Sequence, residues 1–264
     1  MQAYPSPSNW YCLEKGQGRP LVLLHGIGMS HTAWLPVLDI LARERRVLAF
    51  DIAGFGRTPA LPEPLTVTAL VDGLRDSLAA RGIHEPVDMA GNSMGGWLTL
   101  ASACAGLARS AVCLSPAGLA RHEDAPWHIR PIFDIARFAA RRLPGISRRL
   151  LAFGPMRSAA LAIPVSVRSH RMPAEAAARA LEDFANAPGF EATYAIIDRV
   201  AGLEQLSLPL TIAFGRNDWI LTGAMQARRG LPLQTRWLRP DGWGHVPMWD
   251  DPEGVARVIL EGSR

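Results

Sequence analysis

The stretch Gly91-Asn92-Ser93-Met94-Gly95 constrains the fold of this chain more than any other. It joins an apolar run rich in strand-forming residues to a run of helical composition. A strand can turn into a helix over so few residues only where side chains are missing on both sides, and the two glycines meet that need. The serine between them is held in a strained conformation, with its hydroxyl beside the positive end of the helix. The stretch therefore predicts a reactive serine at the end of a strand.

Short apolar runs alternate with helix-length segments along much of the chain. This alternation predicts an α/β fold class with a mostly parallel central sheet flanked by helices, in which ligands bind outside the carboxyl ends of the strands. The predicted strands are 21–24, 47–50, 87–90, 111–114, 210–214 and 235–238, with an antiparallel edge strand at 10–14. The predicted helices beside them are 32–43, 66–81, 94–108 and 255–261.

About ninety residues separate two of the predicted strands, 111–114 and 210–214, whereas connections of about two to six residues are usual. The segment is rich in Ala and Arg, is interrupted by prolines, and contains predicted helices at 129–143, 147–153, 156–163, 173–185 and 190–200. We interpret it as a helical cap, or lid, inserted into the core. The expected domains are a core of residues 1–116 and 207–264 and a cap of residues 117–206. With 264 residues, 48% of them hydrophobic, the chain can bury a large core.

The charge of the chain argues against several classes of function. The formal net charge is +4 and Lys15 is the only lysine. No dense basic block with interleaved aromatic residues occurs, so nucleic-acid binding is not expected. Residues 1–9 are polar and rich in proline, without the pattern of a secretion signal, and no membrane span is expected. We expect a cytoplasmic protein that is a monomer or a homodimer.

The three cysteines, Cys12, Cys104 and Cys113, are odd in number and lie far apart in the sequence. Cys104 and Cys113 fall within apolar helix and strand patterns. We therefore expect buried free thiols rather than disulfides or metal ligands, and no metal site.

A serine hydroxyl is a weak nucleophile unless a base takes its proton during the attack. His245, in the loop after the last predicted strand, is the candidate base, and Asp218, in the loop after the preceding strand, is the candidate carboxylate that orients it. The order Ser93, Asp218, His245 along the chain is the order expected for a serine in this kind of turn. The alternative acids, which lie close to the histidine in sequence, are Asp241, Asp250 and Asp251.

Attack on an ester or amide carbonyl creates an oxyanion that preorganised N–H groups stabilise. Met94 N–H, at the start of the helix after the serine, is one expected donor. The other is expected from the loop after strand 21–24, where Gly26 and Gly28 allow Ile27 N–H to point inward. We expect His25 to brace this loop by hydrogen bonding and to take no part in the chemistry.

Five motifs in order make the chain resemble the α/β-hydrolase superfamily. They are His25-Gly26-x-Gly28, Asp51-x-x-Gly54-x-Gly56-Arg57-Thr58, Gly91-Asn92-Ser93-Met94-Gly95-Gly96, Gly215-x-x-Asp218 and Gly244-His245. The resemblance covers residues from about 10 to 262, without the cap. It implies the α/β-hydrolase fold, a triad of Ser93, Asp218 and His245, an oxyanion hole from Ile27 and Met94, and no cofactor. Relatives often place a proline a few residues after the acid, where this chain has Ile220-Leu221-Thr222.

The fold alone does not choose the substrate. Ser93 at the nucleophile position excludes the dehalogenases and epoxide hydrolases of this superfamily, which use an aspartate there. We expect a carboxylesterase-type serine hydrolase that cleaves small to medium apolar esters through an acyl-enzyme on Ser93. Its expected partners are a small-molecule ester and water.

Three alternatives remain open: an acyltransferase, a non-catalytic small-molecule receptor, and a hydrolase of carbon–carbon bonds. The stretch from Gly91 to Gly96 also resembles hydrolases that act on meta-cleavage products of aromatic rings. Those typically carry Gly-Pro-Gly where this chain has Gly28-Met29-Ser30, and they use an arginine of the cap to hold a carboxylate. We expect the cap arginines of this chain to form a solvated helix face; they are Arg130, Arg137, Arg141 and Arg168.

A substrate pocket is expected where the cap faces the strand ends. Packing of the cap onto the core is the alternative account of the aromatic residues there. The candidate substrate-binding residues are Gly26, Trp127, Phe133, Phe138, Trp219, Trp243 and Val246.

Overall fold

In the computed structural model, which describes residues 8–162 and 166–264, seven strands form a single sheet. They are β1 (Cys12–Lys15), β2 (Pro20–Leu24), β3 (Arg46–Phe50), β4 (Val87–Asn92), β5 (Ala108–Leu114), β6 (Leu210–Ala213) and β7 (Arg236–Leu238). Their order across the sheet is β1-β3-β2-β4-β5-β6-β7. β1 is antiparallel to β3, and the other neighbours are parallel. This confirms the predicted fold class, a mostly parallel sheet with an antiparallel edge strand.

The described part of the chain forms nine α-helices. They are α1 (Leu35–Leu41), α2 (Val67–Ala79), α3 (Met94–Cys104), α4 (Ile129–Arg142), α5 (Pro144–Ala152), α6 (Gly154–Ala162), α7 (Ala174–Asn186), α8 (Phe190–Ile196) and α9 (Pro252–Gly262). Helices α4 to α8 form an insertion between β5 and β6. None of the described helices is both long and apolar enough to cross a membrane.

Several predicted helix ends differ from the structure. The prediction 94–108 runs too far because Gly106 adopts φ +76° and turns the chain into β5. The prediction 190–200 is also too long, since Ile197 is extended, with φ −67° and ψ 112°. Residue 163 of the predicted helix 156–163 lies outside the described residues. Cys104, the last residue of α3, is exposed rather than buried, because the exposed turn 105–106 follows it.

The two faces of the sheet carry separate apolar cores, because successive side chains of a strand point to opposite faces. In β2, Val22 and Leu24 belong to the core that packs with α2 and α3. Leu21 and Leu23 belong to the core that packs with α1 and α9. All four side chains are fully buried, which explains why this strand is a continuous apolar run in the sequence.

Helix α3 begins in direct contact with the backbone of the sheet. A Cβ built on Gly91 would lie 2.1 Å from the carbonyl oxygen of Gly95, and one built on Gly95 would lie 2.0 Å from the carbonyl oxygen of Leu24. These separations are far below any real contact of a Cβ atom, so no side chain fits at either position. The two glycines therefore set how closely β4, the turn at Ser93 and α3 pack against β2.

We expect the substitution Gly91→Ala to lower the free energy of unfolding by about 1–3 kcal/mol or more, because an added methyl group overpacks this contact. Gly145→Ala is the matched control, since a Cβ on Gly145, in the first turn of α5, would meet nothing within 4 Å. It should be neutral or stabilising, by up to about 1 kcal/mol. Urea unfolding of both variants measures the difference, and equal effects would contradict this account of the turn.

Candidate active site

Ser93 lies at the tip of the turn between β4 and α3, where its backbone adopts φ +56° and ψ −116°. A non-glycine residue in this region is strained and persists only where its surroundings hold it. The Ser93 N–H donates to the carbonyl of Leu114 at 3.0 Å, and the Ser93 carbonyl accepts from the N–H groups of Trp97 and Ala117 at 3.0 and 3.1 Å. The turn therefore has the geometry that the sequence predicts.

His245 and Asp218 lie together in the loops after β7 and β6. His245 Nδ1 is 3.0 Å from Asp218 Oδ2 and 3.1 Å from Asp218 Oδ1, and both residues are buried. Asp218 Oδ1 also accepts from the N–H groups of Ile220 and Leu221 at 2.9 and 3.0 Å. Burial opposes ionisation of Asp218, but the imidazole of His245 and these hydrogen bonds outweigh it and lower the pKa of the carboxyl. An imidazole held through Nδ1 has Nε2 for proton transfer.

The three alternative acids are engaged elsewhere. Asp250 is fully buried and accepts from the N–H group that precedes His245, at 2.7 Å. Asp251 caps α9 with its side chain. Asp241 is exposed and pairs with Arg216 at 3.0 Å. Asp218 is thus the carboxylate that contacts the imidazole.

Asn92 has a role that the sequence analysis missed. Its Nδ2 donates to the carbonyl of Leu114 at 3.0 Å and to the carbonyl of His245 at 2.8 Å. The side chain is fully buried, so it fixes the backbone of His245 against the ends of β4 and β5, beside Ser93. The sequence holds one signal of this role, the position of Asn92 next to Ser93 in the turn.

Met94, which carries one expected oxyanion donor, follows Ser93 directly, and the loop that carries Ile27 lies close to Ser93. Met94 is the first residue of α3, and N–H groups of the first helical turn have no acceptor within the helix. The loop after β2 comes close to Ser93, since a Cβ built on Gly26 would lie 3.5 Å from Ser93 Cβ. Ile27, which follows Gly26, lines the same pocket as Ser93.

His25 braces this loop from beneath. Its Nε2 accepts from Ile52 N–H at 3.0 Å, so the ring proton is on Nδ1, which donates to the carbonyl of Gly26 at 2.8 Å. The ring is fully buried, and burial lowers its pKa to about 4. These hydrogen bonds agree with the expected bracing role of His25.

An apolar pocket of about 60 Å³ opens onto Ser93. Its walls come from the loop after β2, from the segment after Asp218 and from the insertion; they include Ile27, Phe133, Tyr194, Ile220 and Leu221. Phe133 therefore lies where a substrate-binding residue was expected. Within residues 8–162 and 166–264, no group of three or more His, Cys, Asp or Glu side chains could hold a metal ion.

Four of the predicted substrate-binding aromatic residues do not line this pocket. Trp127, Phe138 and Trp219 have exposed side chains, at 86%, 63% and 62%. Trp243 is buried in the core that packs with α1 and α9. Proximity to Asp218 or His245 in the sequence suggested Trp219 and Trp243, but it does not set where a side chain points. Val246 lines a second and larger pocket.

The expectation of a solvated arginine face is wrong for Arg137, which is buried with its guanidinium carbon 3.8 Å from the ring centre of Phe190. The other three arginines have protein partners. Arg130 pairs with carboxylates, and Arg141 and Arg168 donate to backbone carbonyls. Among the described residues that line the pocket at Ser93, none is an arginine.

The sequence profile of the alpha/beta hydrolase family matches residues 21–258. The chain belongs to the alpha/beta hydrolase family. Membership confirms the superfamily that the five motifs suggested, and supports hydrolase activity.

Two characterised relatives of this α/β hydrolase match it over part of their length. The (E)-2-((N-methylformamido)methylene)succinate hydrolase of Acinetobacter baylyi is 35% identical over 86 residues, which are 33% of this chain and 32% of that protein. The 2-hydroxy-6-oxo-6-(2'-aminophenyl)hexa-2,4-dienoic acid hydrolase of Metapseudomonas resinovorans is 36% identical over 129 residues, 46% of this chain and 43% of that protein. The matches thus span less than half of either relative.

Among solved structures, a thermophilic esterase from Thermogutta terrifontis superposes with a TM-score of 0.71. The superposition covers 95% of this chain and 91% of the esterase, at 24% sequence identity. At that identity the similarity shows a shared fold.

Because the buried His25 ring stays neutral in the folded protein, we expect the protein to lose stability at acid pH. Below the ordinary histidine pKa of about 6.5, His25 is largely protonated in the unfolded protein but stays neutral in the folded protein, so the unfolded state binds more protons. Stability should therefore be lost as the pH falls from about 6.5 towards 4, by about 3 kcal/mol from this residue. Nitrogen-15 NMR of the imidazole should show a neutral ring with its proton on Nδ1 at pH 5.5. A charged ring at that pH would contradict the account.

Proposed function

We propose that this α/β hydrolase is a serine carboxylesterase that takes esters with short acyl groups. The observation that carries the proposal is the buried His245–Asp218 contact in the loops beside Ser93, together with the apolar pocket of about 60 Å³ at the serine. The helical insertion would act as a cap that closes this pocket. A pocket so small and apolar suits an acyl chain of a few carbons.

In the proposed reaction, His245 Nε2 takes the proton of Ser93 as the hydroxyl attacks the ester carbonyl. Asp218 orients the imidazole and stabilises its positive charge, and Met94 N–H and Ile27 N–H hold the oxyanion. The tetrahedral intermediate then collapses, and His245 protonates the departing alcohol. Water repeats the same steps on the acyl-enzyme, which releases the acid and restores the serine.

Carbon–carbon bond hydrolysis is the second candidate, because the relative from Metapseudomonas resinovorans is named for a dienoic acid substrate of that type. Such a substrate carries a carboxylate, which needs a cationic partner when it is buried. The pocket at Ser93 is mostly apolar and, among its described lining residues, only His122 could carry a positive charge and none is an arginine, which favours the ester. An acyl transfer reaction would use the same triad with another acceptor in place of water.

The first test is hydrolysis of 4-nitrophenyl esters from acetate to decanoate. We expect kcat/KM to be highest for the shortest acyl groups, since each methylene that does not fit costs about 1–3 kcal/mol. Ser93→Ala should lower kcat on the order of a million-fold. Asp218→Asn should lower kcat by about 10⁴, whereas the control Asp241→Asn, at an exposed alternative acid, should keep wild-type activity.

Ester hydrolysis that survives Ser93→Ala would contradict the mechanism. No turnover of any ester, combined with cleavage of a 2-hydroxy-6-oxo-dienoic acid, would support the carbon–carbon hydrolase instead. A folded protein that binds these compounds and turns over none of them would be a receptor.

The pocket wall gives a second prediction. Phe133→Ala removes a ring that lines the pocket at Ser93 and should move the preferred acyl group to a longer chain. Phe138→Ala is the matched control on the same helix, because its ring is exposed, and it should leave the chain-length profile unchanged. The ratio of kcat/KM for octanoate and acetate measures the shift, and equal ratios in both variants would place the acyl group elsewhere.

A further inference from the structure

A second pocket, of about 370 Å³, lies between α7, the segment after β2 and the loop after His245. Its volume falls in the range of about 300–1,000 Å³ that small-molecule sites occupy. Its walls are mostly apolar and include Met29, Met172, Val246 and Trp249. The steps proposed for ester hydrolysis assign no role to this larger pocket.

Two residues bring the wall of this pocket close to Ser93 and His245, which do not line it themselves. Val246, which lines it, directly follows His245. Met29 of the pocket wall and Ser93 are both close to Gly26, because a Cβ on Gly26 would lie 3.2 Å from Met29 Sδ and 3.5 Å from Ser93 Cβ. The alcohol of an ester must leave on the side of the histidine that protonates it. The position of this pocket therefore fits the alcohol part of the substrate, and the pocket of about 60 Å³ fits the acyl part.

The polar groups of the pocket indicate which alcohol would bind. Asp183 of α7 lines the pocket, and its Oδ2 accepts from Ser30 Oγ at 2.6 Å. Burial is the largest influence on this carboxyl and raises its pKa. A raised pKa means that the neighbouring groups do not fully compensate the buried negative charge, so a cationic donor on a ligand would be stabilising.

The other charged residues of the pocket are more exposed and compensate each other. Glu175 and Arg179 lie one turn apart on α7 with 3.8 Å between their charged atoms, and their side chains are 84% and 54% exposed. Arg179 also acts on Asp183, but it is the weakest of the named influences on the pKa of that carboxyl, and Glu175 offsets part of its charge. A substrate carboxylate in this pocket would face Asp183 and be repelled by it.

We propose that the larger pocket binds the leaving alcohol of the ester, and that this alcohol is an apolar group carrying a protonated amine that reaches Asp183. The inference rests on the proposed esterase function and adds the substrate class to it. The enzyme then takes a short acyl group on one side of Ser93 and a bulky amino alcohol on the other.

The test compares three acetates that share an acyl group and differ at one position of the alcohol. They are 4-(aminomethyl)benzyl, 4-methylbenzyl and 4-carboxybenzyl acetate, each assayed for kcat/KM at pH 7. We expect the amine to exceed the methyl compound by about tenfold, as a charge-assisted hydrogen bond allows, and the carboxylate to fall below both. Asp183→Asn, which keeps an acceptor for Ser30, should bring the amine and methyl compounds together.

Glu182→Gln is the matched control, because it removes a neighbouring carboxylate on α7 that pairs with Arg148 outside the pocket. It should keep the preference for the amine. Ala180→Phe places a ring in the pocket and should lower the ratio of kcat/KM for 4-methylbenzyl acetate over methyl acetate, which tests the pocket without relying on Asp183.

The outcomes distinguish a wrong assignment of the larger pocket from a wrong esterase function. Turnover of 4-nitrophenyl acetate with equal rates for the three benzyl acetates would overturn the inference and leave the esterase function standing. A preference for the amine that Asp183→Asn does not reduce, or a preference for the carboxylate, would also overturn it. If no ester is hydrolysed, the proposed function is wrong and the assignment of this pocket falls with it.

Discussion

The absence of side chains at Gly91 and Gly95 is the constraint on which the site depends. Because these glycines contact the backbone directly, α3 starts against β2 and β4 with no layer of side chains between them. The serine is thereby forced into its strained conformation, and Met94 N–H lies beside it. The same contact brings the loop after β2 up to the serine, so one packing requirement positions Ser93, Met94 N–H and the loop that carries Ile27.

The insertion is joined to the core by a few specific contacts rather than by apolar packing alone. Gly189 N–H donates to the carbonyl of Gly54 at 2.9 Å, and a Cβ on Gly54 would lie only 2.6 Å from Gly189 Cα. The side chain of Asp183 reaches Ser30, and Asp250 accepts from the N–H of Arg168. These contacts fix the position of the insertion on the core. The sizes of both pockets are therefore set by the insertion and the core together.

The sequence predicted the sheet and the helical insertion, and it suggested Ser93, Asp218 and His245 as a site, because their signals are local. Strands buried on both faces are apolar runs, and the turn at Ser93 needs its glycines wherever it occurs. The environments of Trp127, Trp243 and Arg137 depend on how distant segments pack, which no local pattern encodes. Asn92 and Asp183 were missed for the same reason, since their hydrogen-bond partners lie far along the chain.

The hydrogen bond from Asn92 to the carbonyl of His245 joins residues 153 positions apart. The contact that aligns the histidine loop can therefore form only after residue 245 has left the ribosome. Since such distant contacts form late and slowly in folding, a nascent chain could complete its first strands and the strained turn well before it could catalyse anything. Any reaction that needs His245 must wait until synthesis has passed that residue.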